Sequence, residues 1–217
     1  AAQEPVYAQK AKKSKAKKEK VTDPRLLLVM KITKMTKESQ FLTKGIALKT
    51  AHRATQGFSI SEDEQTMWFS QPGSFGKNQP GLTKVHENYI VRRKDGKREF
   101  MTLRYFGNAN SLAVEHGADG VDYMWIGSNA TKYKGSYSRT RTVSRFPFEP
   151  NKEINEGYAG ETYYMGGERY CYPAVNVAAN LLGVVTQKAG AVTVNLYNLD
   201  EARAMDDVDI KLKTLYK

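Results

Sequence analysis

The sequence predicts an all-β protein, a β-propeller of four-stranded blades of which this chain holds about three. Two observations carry that expectation. Short stretches of alternating apolar and polar residues are closed by turns rich in Gly, Asp and Asn, the pattern of half-buried strands. One such stretch is also written three times, in units that start near residues 55, 110 and 172. Four antiparallel strands per unit, repeated roughly every 50 residues, is the signature of a propeller blade.

The strands of each unit follow in order. The first two are residues 55–60 (TQGFSI) with 67–70 (MWFS), 111–115 (SLAVE) with the apolar run through Trp125, and 173–177 (PAVNV) with 181–186. Between the members of the second pair, Gly117, Asp119 and Gly120 supply the positive φ angles of a tight connection. Third strands fall at 82–85, 142–146 and 192–197, and fourth strands at 99–105, 161–165 and 209–216. Residues 25–33 (RLLLVMKIT) read as one more strand, in the fourth-strand slot ahead of the first unit. Propellers close with four to eight blades, and fewer leave an apolar blade face bare. The chain is therefore expected to be an incomplete propeller, finished by further sequence, a partner chain or copies of itself.

Ahead of residues 24–217, the propeller region, residues 1–23 read as a disordered basic arm. Residues 1–20 hold seven Lys against Glu4 and Glu19, within a formal charge of +11 for the 217-residue chain. With no apolar periodicity, such a segment cannot bury enough surface to fold. It is expected to act as a solvated tether, with contact to an anionic polymer as the alternative. Nucleic acid is not the expected partner. The longest apolar run, residues 26–30, is too short to span a membrane, and the single Cys171 excludes an internal disulfide.

Catalytic patterns are sparse. His52, His86 and His116 lack metal-ligand spacing, and no P-loop, dinucleotide fingerprint or nucleophile elbow is present. No cofactor and no metal are expected. Glu115 beside His116 is the best acid–base pair, but neighbours on a strand point to opposite faces. Glu115 with Asp119 and Asp122 offers a calcium loop only weakly, since the spacing departs from the EF-hand pattern.

Binding chemistry is better represented. Tyr158, Tyr163, Tyr164, Tyr170 and Tyr172 crowd one stretch around Arg169, and tyrosine offers a rigid apolar face with a hydroxyl. If the units superpose, the connections entering the first strands gather at one end of the fold. His52, Gln56, Asn108, Asn110, Tyr172 and Asn176 then form a polar, mostly uncharged ring suited to a hydroxylated ligand, with Glu115 as a further candidate. The loops 70–81 and 129–140, basic and Gly- and Ser-rich, sit at equivalent places after the aromatic strands and are candidate recognition loops.

Thr55-Gln56-Gly57-Phe58, the segment 107–115 (GNANSLAVE), Trp125-Ile126, Arg145-Phe146 before Pro150, and Tyr197-Asn198-Leu199-Asp200 together resemble the propeller family of helveticin J-type bacteriocins. That family is similar to receptor-binding propellers of phage tails and to the protein once called teichoic acid biosynthesis protein C. The resemblance covers about residues 25–217 and implies a secreted or cell-surface bacterial β-propeller. Where a Gly-His pair is expected before the Val-Glu strand, this chain has Gly107-Asn108, so no role passes to that position. The expected function is non-enzymatic binding of a bacterial surface glycan or a partner protein, which the resemblance sets in a bacteriocin-like context. The alternatives are a structural subunit joined by strand pairing, and a polysaccharide hydrolase or lyase whose catalytic residues lie in the missing blades.

Overall fold

The structure is a computed structural model, and it describes residues 55–73, 87–133, 136–164 and 170–205. The basic arm, the strand expected at 25–33, His52, the third strand expected at 82–85, most of the loop 70–81 and the fourth strand expected at 209–216 lie outside the described residues. All but one of the described elements are strands, as the alternation predicts.

Three open antiparallel sheets form in chain order. The first contains β1 (Gly57–Ile60), β2 (Thr66–Pro72), β3 (Glu87–Lys94) and β4 (Lys97–Arg104). The second contains β5 (Leu112–His116), β6 (Asp122–Tyr133), β7 (Ser136–Pro147) and, beyond a short β8 (Glu153–Ile154), β9 (Glu161–Tyr164). The third contains β10 (Cys171–Asn176), β11 (Leu181–Lys188) and β12 (Ala191–Asn198). Among the described residues no sheet closes on itself. Two hairpins have two-residue turns with φ above zero at both positions: Asp95-Gly96 (50° and 71°) and Ala189-Gly190 (47° and 90°). That conformation matches the twist of the flanking strands.

Alternation then sorts the side chains. Trp68, Ile90, Met101 and Leu103 point from the first sheet, and Leu112, Met124, Ile126 and Phe146 from the second, into one shared core. The other face of the second sheet presents Trp125, Val143 and Tyr163 to Cys171, Leu182, Val184 and Tyr197 of the third. Each fully buried large apolar side chain contributes about 1.5–3 kcal/mol. A smaller cluster of Met67, Phe69, Tyr89 and Val91 lies on the remaining face of the first sheet.

One cross-strand row occurs in two sheets. In the first, Trp68 pairs with Arg92 and Arg92 with Glu99; in the second, Trp125 pairs with Arg145 and Arg145 with Glu161. Both tryptophans are fully buried. Each arginine bridges the glutamate on the next strand, with Arg92 Nη2 2.7 Å from Glu99 Oε2 and Arg145 Nη1 3.1 Å from Glu161 Oε1.

Four features differ from expectation. The third strand of the first sheet is β3 (Glu87–Lys94), past the expected 82–85. The loop expected at 129–140 is the tip of a long hairpin, because β6 and β7 run on to Tyr133 and from Ser136. At the base of that hairpin a row of buried hydroxyls joins β6, β7 and β9: Ser128 Oγ lies 2.6 Å from Thr142 Oγ1, and Ser144 Oγ lies 2.7 Å from Ser128 Oγ and 2.8 Å from Thr162 Oγ1. β8 adds a fifth, parallel strand to β4, drawn in by Ile154, which is buried in the shared core. A helix, α1 (Leu199–Arg203), follows β12; the Asn198 side chain caps it by accepting from the Glu201 amide, and Leu199 and Ala202 are buried.

At Gly127 the second sheet lies close against the backbone of the third. A β-carbon there would lie 2.5 Å from the carbonyl oxygen of Cys171 and 2.7 Å from Thr140 Oγ1. Gly127→Ala is therefore expected to destabilise the protein by about 1–3 kcal/mol through overpacking, read as a lower midpoint in urea unfolding. An unchanged midpoint would mean that the sheets are not this close.

Candidate functional site

The first strand of each sheet is an end strand of that sheet: β1, β5 and β10. Small residues and side chain to backbone bonds draw their starts together. At Gly57 an added β-carbon would meet Ser70 Oγ at 3.0 Å, the Leu112 amide nitrogen at 3.3 Å and the Asn110 carbonyl oxygen at 3.4 Å. Ser70 Oγ donates to the Ala109 carbonyl (2.6 Å), Asn88 Nδ2 to the Gly107 carbonyl (2.8 Å) and Ser111 Oγ to the Pro173 carbonyl (2.9 Å). The three strands bound an open groove of about 460 Å³.

The predicted site residues separate into groups. Gln56 and Asn110 line the groove. Asn108, Asn110 and Tyr172 line an adjoining cleft of about 10 Å³ with Thr140 and Cys171, room for about one water. Burial raises the Tyr172 hydroxyl above its ordinary range while a hydrogen bond with Asn110 opposes it. Tyr170 lies 5.5 Å from the Tyr172 ring, and the Arg139 guanidinium stands 5.3 Å over Tyr170. Four of the expected residues, Gln56, Asn108, Asn110 and Tyr172, are thus brought to one end of the fold.

Asn176 and Glu115 are not placed as expected. Asn176 closes β10 at the end opposite Tyr172, and its Oδ1 accepts from the Ala179 amide at 3.0 Å. It is a turn residue, because an Asn side chain there satisfies the backbone of the following bend. Glu115 is only 1% exposed. Its carboxylate accepts from Arg145 Nη2 (2.9 Å) and Nε (3.1 Å), from Trp125 Nε1 (2.7 Å) and from Arg203 Nε (3.0 Å). The Arg145 guanidinium also lies 3.7 Å over the Tyr123 ring. With its oxygens so engaged, Glu115 holds sheets together rather than meeting a ligand.

His116 points to the other face of β5, as adjacent strand residues do. It is exposed, with Nδ1 2.7 Å from Asp122 Oδ1 and its ring 5.3 Å from Trp68. No acid–base pair with Glu115 results. Asp119 is occupied by the Val121 amide (3.0 Å) and the Tyr123 hydroxyl (2.8 Å), so the three carboxylates of the weak calcium pattern do not converge. Among the described residues no group of three or more His, Cys, Asp or Glu is placed to hold a metal.

Sequence reasoning placed Phe58 on a strand and missed it as a site residue. It is 67% exposed and borders the groove, but its partner across the strand pair is Phe69, so its ring lies on the face of the first sheet turned away from the second. The β1 alternation, with Phe58 and Ile60 exposed between less exposed Gly57 and Ser59, is the signal that an aromatic side chain faces outward. Arg203 was also missed, since nothing local reveals a partner 88 residues away.

No family model matches the chain, and no curated protein matches it in sequence. Among solved structures it is similar to the tail fiber of Staphylococcus aureus phage P68, with a TM-score of 0.48 and 14% identity over 76% of this chain. The match spans 30% of that fiber chain. Among the described residues no helix is long and apolar enough to cross a membrane.

The Glu115 cluster has a pH signature. Burial pushes its carboxyl up, but the hydrogen bonds from Arg145 and Trp125 and the charges of Arg145 and Arg203 outweigh burial and hold it below the ordinary glutamate range. A depressed folded pKa gives stability that is complete above the unfolded value, about 4.3, and is lost as pH falls through the folded one. Glu115→Ala leaves two guanidinium partners without it and is expected to cost about 3–5 kcal/mol at pH 7. The deficit should shrink below about pH 4, in urea unfolding followed across pH; a deficit independent of pH would contradict the ion-pair account.

Proposed function

We propose that this chain is a non-enzymatic β-propeller binding module that recognises a bacterial cell-surface glycan or a partner protein, in a secreted or cell-surface setting. The observation that carries the reading is the meeting of β1, β5 and β10 along one groove. Propeller blades stack face to face with their first strands innermost, and the two successive cores between sheets fit that arrangement. The repeated Trp–Arg–Glu row supports it further, since each row lies on the face turned toward the following sheet. Gln56, Asn108, Asn110 and Tyr172 at one end supply neutral donors and acceptors for a hydroxylated ligand. In this reading further polypeptide completes the ring.

A second reading, a structural subunit joined through its sheets, is favoured by the outward face of the third sheet. There Val192 and Val194 are 65% and 55% exposed. Val192 stands opposite Gln187, Val194 opposite Val185, and Leu196 opposite Gly183, so this face is uncharged and largely apolar around them. Large apolar patches of this kind mark interaction surfaces.

The second reading requires the chain to assemble, and the first requires further polypeptide, in the same chain or in another. Native mass spectrometry of the purified protein should therefore find a species larger than the 24.4 kDa monomer, carrying further polypeptide, a second copy or a partner. A monomer that unfolds in a single cooperative transition would contradict the incomplete propeller.

A further inference from the structure

We infer that the outward face of the third sheet is a self-association surface, on which a second copy of this chain packs its own third sheet face to face about a two-fold axis. This rests on the structural-subunit reading above and names the partner. The first ground is a mismatch between sequence and burial in β11. Its sequence, LLGVVTQK, opens on a near-continuous apolar run, the pattern of a strand covered on both faces. The second strands of the other two sheets have that cover: residues 67–70 of β2 and 124–128 of β6 are buried at every position. In β11 only Leu182, Val184 and Thr186 are buried, while Leu181, Gly183 and Val185 between them stay part exposed.

The second ground is charge. Strand alternation and the register with β11 assign the outward positions of β10 and β12, and among the described residues none of the outward positions on the three strands is charged. Copies of a chain with a formal charge of +11 repel one another. A face without charge lets two of them meet and leaves no ion buried without a partner.

The third ground is shape. Val185 and Val194 stand side by side as a ridge. The next row holds Ala174 and Gly183, where a β-carbon added to Gly183 would meet nothing nearer than Leu196 Cδ2 at 3.4 Å. A ridge beside a trough on one face is self-complementary, because a two-fold axis between them seats each ridge in the other copy's trough. An isologous contact needs only that one patch, and stacked sheets pack about 10 Å apart. Three strands of at most eight residues span about 14 by 26 Å, so two copies bury on the order of 700–800 Å². That is below the roughly 1,200 Å² of stable complexes. The dimer is therefore weak, with a dissociation constant on the order of 10–100 μM.

The test is sedimentation equilibrium of the full chain from about 1 to about 500 μM. The mass is expected to rise with concentration from 24.4 kDa toward twice that value. Val194→Asp should raise the dissociation constant about tenfold or more by burying a carboxylate without a partner, and Val194→Lys should do the same. The melting temperature of either dilute variant should stay unchanged, since the side chain is 55% exposed. Mixing the two variants should restore the dimer, because opposite charges then face each other when the same patch lies on both sides. A dimer that Val194→Asp leaves intact, or one that mixing fails to restore, would overturn the inference while leaving the structural-subunit reading standing. A monomer at every concentration would overturn both.

Discussion

The described fold depends most on one carboxylate. Glu115 lies at the end of a five-residue strand and is buried to 1% exposure. An ionised carboxylate in that position costs several kcal/mol to desolvate unless its lone pairs are met by donors. Here two guanidinium groups and an indole N–H meet them. Arg145 belongs to β7 and in turn pairs with Glu161 of β9, whose carboxylate accepts from the Tyr163 hydroxyl at 2.9 Å. The same hydroxyl lies 2.6 Å from the Ala202 carbonyl oxygen in α1. Arg203, from that helix, closes the circuit on Glu115. One buried charge therefore fixes strand order within the second sheet and ties the end of the third sheet to it.

The groove follows from that constraint. With the second and third sheets held face to face and Gly127 allowing the Cys171 backbone to approach, β5 and β10 are brought near enough for Ser111 to bond the Pro173 carbonyl. On the opposite side, Ser70 and Asn88 do the same for β1 through the segment before β5. Among the described residues β1, β5 and β10 each keep one edge without a strand partner, and all three line the groove. Polar groups spent on stitching the sheets, Glu115 above all, are not available for a ligand. Groups left at the mouth, Gln56 and Asn110, are neutral.

Much of this was legible in the sequence because strand alternation is a local property. The pairs around Trp68 and Trp125, the turn at Gly117–Gly120 and the fourth strands near 99 and 161 all follow from runs of a few residues. So does the separation of Glu115 from His116 onto opposite faces. Convergence of Gln56, Asn108, Asn110 and Tyr172 came from superposing the units, not from any local motif. What stayed hidden was long-range or lay in the detail of turns. The ring reading swept in Asn176, whose side chain closes a bend. Glu115 invited a ligand role because a lone carboxylate at a strand end looks available until Arg203 is brought to it in space. The 129–140 stretch looked like a loop because Ser, Thr and Gly carry little apolar pattern, and the buried hydroxyl row at its base, Ser128, Thr142, Ser144 and Thr162, emerges only once β6, β7 and β9 are adjacent.

The most direct test of this account is a double-mutant cycle on Glu115 and Arg203, since it isolates the bond between the second sheet and the element that follows the third. Urea unfolding of Glu115→Ala, Arg203→Ala and the double variant should give a coupling free energy of about 1–3 kcal/mol, as residues in one buried network do. Additive losses, to within about 0.5 kcal/mol, would contradict it: the sheets would then be held without this ion pair.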